Sequence, residues 1–254
     1  MKPAVRTILV IVAALIAISI PAAQALIQFG VSAGEFSYQG DSTLRVAGYA
    51  FSIWGLIYFG MLTFGAYQAL PSTPESGTLS AFAWPSIIAM SGCGFWIAAA
   101  ALNAQWATVA IIATSALVLV FGMLRAPRDP SRTQYWLIVL PMSLLAGWLT
   151  IATAVNALTV LTMTGFITPA GATHAALIGI PLASAFAAIV ALRARNAAYL
   201  LPILWGLAGA YAEESQRNGA VANGLMVAFA ALALLVLVIF ARQIGARANR
   251  TAAV

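Results

Sequence analysis

Charge is what this sequence lacks. Its 254 residues include six acidic side chains, one lysine (Lys2), one histidine (His174) and one cysteine (Cys93). Each scarcity closes off a class of function. A lone cysteine forms no intrachain disulfide and no thiolate metal cluster. One His and one Cys far apart cannot supply two ligands of those types to zinc or haem iron. A lysine confined to position 2 cannot form the buried Schiff base of a seven-helix retinal protein. No apolar run carries Asp, Glu, Lys or Arg near its centre, where such residues mark proton relays, ion pathways and voltage sensors. That argues against a pump or a proton-coupled transporter. Walker, HExxH and GxSxG patterns are missing too. His174 sits at the edge of a run, the place of an ordinary interfacial residue. The chain offers no obvious acid, base or metal, so catalysis ranks second to binding.

What is present is apolar. The chain is 63% hydrophobic and 7% charged, with a mean hydropathy of +0.97. Long uncharged runs, not short alternating strands, fill it, so the expected fold is all-α: a polytopic integral membrane helical bundle of about eight transmembrane helices. The runs fall at 8–27, 47–69, 83–103, 106–124, 135–162, 173–192, 197–212 and 220–241. The seventh is marginal in length. The fifth is long enough to tilt or kink, with Pro141 in its first half. Residues 28–46 form a polar loop whose Phe36 and Tyr38 can fold back over the membrane surface. The first run has two readings. Lys2, Arg6, an apolar core and Ala23-Gln24-Ala25 resemble a cleavable signal peptide ending near residue 25; alternatively the run is an uncleaved first helix.

Eight spans put both termini on one side. Lys2, Arg6, Arg125, Arg128, Arg132, Arg193, Arg195, Arg242, Arg247 and Arg250 then share that side, and only Arg45 and Arg217 lie opposite, with Glu35, Asp41, Glu213 and Glu214. The positive-inside bias places both termini in the cytoplasm of a multi-pass cell-membrane protein. The net charge of +6 therefore reports topology and not nucleic-acid binding.

One stretch stands out, Tyr49–Tyr67. At about 100° per residue, Phe51, Trp54, Tyr58 and Met61 fall on one stripe of a helix. Such a stripe either anchors and packs the helix or faces a ligand. The spans otherwise hold small residues, with Gly92 and Gly94, and Gly206 and Gly209, permitting close helix approach. This inventory suits a flat apolar ligand better than an ion.

Three linked patterns carry a resemblance. Trp54, Tyr58 and Met61 read W-x3-Y-x2-M; Leu102-Asn103 and Trp106 read LN-x2-W; Trp148 and Asn156 lie in WLTIATAVN. In this order on the second, third and fifth runs, they resemble the TspO/MBR family, the tryptophan-rich sensory proteins related to the mitochondrial translocator protein. The resemblance covers roughly residues 5–163. It implies a five-helix bundle over 1–163 and a retained first helix; the family ends after five helices, whereas this chain continues with an additional three-helix membrane region over 164–254 and so reads as an extended, divergent member. It also implies a pocket near one membrane face, closed by the first loop, that takes porphyrins, sterols or synthetic aromatic compounds, with no covalent cofactor. Trp54 and Trp148 would wall it, Tyr58 would add a ring and a hydroxyl, and Asn103 and Asn156 would add amides; Trp106 completes the ligand-binding set. The bland alternative for the two asparagines is hydrogen bonding between helices. The chain departs from the family in RVAGYAFSIW, which lacks the prolines usual before the second helix, and in SLLAGW, which lacks Pro-Tyr.

The leading expectation is a membrane receptor or sensor for a hydrophobic ligand such as a tetrapyrrole or haem-type porphyrin. The alternative is a transporter of an uncharged small molecule, with the last three helices completing its path; those helices could equally form a homodimer surface.

Overall fold

The computed structural model describes residues 2–39, 44–70, 72–73 and 75–251, with side chains as far as residue 243. Asp41 of the charge count and the side chains of Arg247 and Arg250 lie outside the described residues. Among the described residues the secondary structure is helical, without strands. In order come α1 (Pro3–Ile27), a short α2 (Ala33–Tyr38), a 3-10 turn (Gly48–Ser52) leading into α3 (Ile53–Ala69), α4 (Gly77–Ala101) and α5 (Gln105–Arg125). A single turn, α6 (Arg132–Gln134), passes through a π-helical stretch (Tyr135–Val139) into α7 (Leu140–Met163). The chain ends with α8 (Ala172–Ala194), α9 (Leu200–Arg217) and α10 (Gly219–Thr251). Seven of these segments are long and apolar enough to cross a membrane, and α9 is the eighth helix of the bundle. The protein is an all-α polytopic membrane bundle.

Helix ends move from their expected places where polar side chains extend the helix. α4 starts at Gly77 and not at 83, because the Ser76 side chain caps it by accepting from the Leu79 N–H at 3.2 Å. α9 keeps Glu213, Glu214 and Arg217 in its last turns, reaching 18 residues, about 27 Å at 1.5 Å per residue. The kink expected at Pro141 is a π-helical widening just before it. There the Leu140 N–H reaches back to the Tyr135 carbonyl, making room for a ring that would otherwise clash with the preceding turn.

Five helices close into a ring. α1 packs on α3 and α4, α4 on α5, α5 on α7, and α7 on α3. The last three form a second layer: α8 and α9 dock on α7, and α10 packs against both. α7 thus belongs to both layers. Of the residues in its apolar stretch 72% are buried, against 50% or less in every other span. Small residues permit this. An added Cβ at Gly147 of α7 would collide with the Tyr199 carbonyl, and one at Gly94 of α4 would sit 2.5 Å from the Ile16 carbonyl oxygen of α1.

α1 is tied at its N-terminal end by a buried arginine. Arg6 donates through Nε to the Gln68 side chain at 2.9 Å, and through both terminal nitrogens to the Glu75 carboxylate at 2.8 Å each. Arg6 is 4% exposed. Its hydrogen bonds hold the Glu75 carboxyl below the ordinary value of 4.5. The lowered folded-state pKa means that the clamp stabilises fully above about 4.5 and loses its contribution as pH falls through the lowered value. Glu75→Gln is therefore expected to lower Tm at pH 7, with the gap to the native chain closing as the pH is taken below 4.5. Melting curves of both proteins over that range check this; a gap that widens in acid contradicts it.

Candidate functional site

The ring holds a partly open cavity of about 90 Å³. Phe51 faces it from the 3-10 turn and Trp54 from the start of α3, Cys93 and Trp96 from α4, and Ile112 and Ser115 from α5. Trp148, Ile151, Asn156 and Thr159 of α7 form the opposite wall, and Gly206 of α9 reaches it from the second layer. Among the described residues no charged side chain lines it.

The aromatic wall follows from helix geometry. Trp54 and Tyr58, one turn apart on α3, stack with centroids 5.3 Å apart and planes 28° from parallel. Trp148 is buried and meets two rings edge to face, Trp54 at 6.3 Å and Phe51 at 6.2 Å. Such pairs add about 0.5–1.5 kcal/mol beyond area burial, so these rings hold one another in place. Met61 on the same stripe is fully inside, whereas Leu56 and Phe59 on the opposite face are exposed to the surroundings a membrane would fill. α3 thus has one face for the bundle and one for lipid.

Phe36, Ser37 and Val46 of the first loop cover one side of the cavity. α2 is only six residues long, but a capping box sets its start: the Glu35 N–H donates to the Ser32 hydroxyl at 3.2 Å, and the Ser32 N–H donates to the Glu35 carboxylate at 2.8 Å. Those bonds hold the Glu35 carboxyl below its usual range. α2 then lowers Phe36 into the bundle, 1% exposed, where its ring meets Trp96 edge-on at 6.0 Å. Among the described residues the buried Trp96 Nε1 meets no hydrogen-bond partner.

The residues singled out in the sequence divide into two groups. Trp54, Trp148 and Asn156 come together around the cavity, with Tyr58 stacked behind Trp54. Asn103 and Trp106 do not join them. Asn103 occupies the tight α4–α5 turn with φ at +53°, a left-handed backbone that Asn tolerates better than most residues. Trp106, half exposed, meets Phe166 edge-on at 6.0 Å. The LN-x2-W pattern therefore marks a turn and its flank, outside the cavity lining. Asn156 follows the interhelical alternative while also lining the cavity: its Nδ2 donates to Thr108 Oγ1 of α5 at 3.0 Å, and that hydroxyl donates in turn to the Gln105 carbonyl at 2.6 Å. Trp96 and Cys93 were not singled out as cavity residues. The available signal was their position one turn or less from Gly92 on the same face of α4.

A ring of membrane helices closed around an aromatic-walled, uncharged cavity defines a class: a polytopic helical membrane protein with an internal pocket. The chain matches the family described as TSPO-like protein over residues 6–241 and belongs to that family. The match runs through α8 and α9 and most of α10, beyond the five helices that carry the sequence motifs. Comparisons with curated proteins and with solved structures gave no match.

Asn156→Leu and Thr108→Val, singly and together, test the α5–α7 link. A double-mutant cycle is expected to give a coupling of about 0.6–1.7 kcal/mol. Strictly additive losses contradict the pairing.

Proposed function

We propose that this TSPO-like protein is a membrane receptor or sensor that binds a flat hydrophobic ligand, such as a tetrapyrrole, in the cavity inside the five-helix ring, without turnover. The observation that carries the reading is the Trp148 contact with Trp54 and Phe51, which sets aromatic faces and edges from two helices around one uncharged space. Flat ligands stack on indole faces, and a few fixed polar groups such as Asn156 and Ser115 orient them. At about 90 Å³ the cavity is smaller than the roughly 300–1,000 Å³ that drug-sized ligands occupy. A macrocycle therefore enters by displacing α2 and withdrawing Phe36. Lifting this six-residue helix breaks the small cluster of Phe36 with Ala100 and Val160, whereas opening the ring would break the packing of α7.

In the same reading both termini face the cytoplasm of a cell membrane. The Arg-rich loops after α5 and α8 lie at the end of the bundle that holds the N-terminus, and Glu35, Glu213 and Glu214 lie at the other, as the positive-inside bias requires.

Titration of the purified protein with protoporphyrin IX, followed by quenching of tryptophan fluorescence, tests the binding. Saturable quenching is expected, with Trp54→Phe and Trp148→Phe each weakening binding by about 1 kcal/mol, roughly fivefold in Kd. Trp106→Phe should leave the affinity unchanged. Binding that none of the three substitutions alters would sink the proposal.

A further inference from the structure

The second layer of helices contributes more to the cavity than one glycine. Between the lid helix α2 and the start of α3, residues 44–52 contain a single 3-10 turn and no proline. Their backbone is nevertheless held, and the groups that hold it come from α9. The Ala47 N–H donates to the Gly209 carbonyl at 3.0 Å. Trp205 Nε1 donates to the Ala50 carbonyl at 2.8 Å. The Arg45 N–H donates to the Glu214 carboxylate at 2.9 Å. Glu214 is 2% exposed and also pairs with Arg217 at 2.9 Å. The Tyr49 ring stands edge-on to Trp205 at 5.7 Å. Gly209 lets the two segments touch, since an added Cβ there would lie 2.6 Å from the Ala50 Cβ.

These bonds end where the aromatic wall begins, for Phe51 and Trp54 are the next cavity residues along the chain. A helix present only to thicken the bundle would meet this segment with apolar side chains. A buried carboxylate and an indole N–H directed at its main chain instead define where it sits. We propose that α9 is the positioning element of the cavity: Trp205, Gly209 and Glu214 seat residues 45–50 so that Phe51 and Trp54 face Trp148. α9 is then part of the site and not an appendage to it. The proposal rests on reading the cavity as a ligand site.

The test uses the full chain and two variants. Trp205→Phe keeps the ring against Tyr49 and removes the N–H. Gly209→Ala pushes on Ala50 with one methyl group. Thr150→Val serves as control; it breaks a different link between the layers, the 2.9 Å hydrogen bond between the Thr150 and Tyr199 hydroxyls, and leaves 45–50 untouched. Amide hydrogen exchange, Tm and protoporphyrin IX affinity are measured for each. Both test variants are expected to speed exchange at residues 45–54 about tenfold or more, with α7 unchanged, and to raise the protoporphyrin Kd at least threefold. The control should lower Tm without either effect. Unchanged exchange at 45–54 in both variants overturns the proposal, as does faster exchange with unaltered affinity. If the native chain binds no protoporphyrin, the ligand reading falls, and the exchange data alone then decide whether α9 seats the segment.

Discussion

Apolar side chains gain nothing by leaving lipid for another helix, so the central position of α7 has to come from close packing and polar pairs. Both are present along its length. Gly147 lets the Tyr199 backbone come close, and Ser143 and Thr150 hydrogen-bond to Asn196 and Tyr199 at 2.6 and 2.9 Å. Asn156 holds α5 on the other side. One helix is thereby gripped from both layers, and the ring closes because α7 is held in place between α3 and α5.

The cavity is a consequence of that closure. Small residues bring helices together where they meet backbone to backbone, as at Gly94 and Gly147; large rings keep them apart where Trp54, Trp96 and Trp148 converge. The rings pack edge to face and leave space between them, and the short α2 covers that space with Phe36. The wall is thus built by rings that hold one another, and its cover by a short helix anchored through one buried ring.

Much of this was legible in the sequence, for physical reasons. Uncharged runs fix spans because the bilayer excludes charge, and the stacking of Trp54 on Tyr58 follows from helical periodicity alone. Polar ends were less legible: the Ser76 cap and the Glu213–Arg217 turns belong to helices but lack a hydropathy signal. Asn103 and Trp106 show the limit of a motif, which gives order along the chain but not direction in space. An Asn that suits an interhelical hydrogen bond also suits a left-handed turn, and only the fold decides between them. The contacts of Phe36 with Trp96 and of α9 with residues 45–50 join segments far apart in sequence, so no local pattern reports them.

Where a ligand touches the protein decides whether the cavity is its site. Fluorine NMR of the chain labelled with 5-fluorotryptophan reports all seven tryptophans separately, once each resonance is assigned by substitution. On titration with protoporphyrin IX the resonances of Trp54, Trp96 and Trp148 should shift together and saturate, while those of Trp84, Trp106 and Trp136 stay in place. Shifts confined to the latter three, with Trp54, Trp96 and Trp148 unmoved, would contradict it.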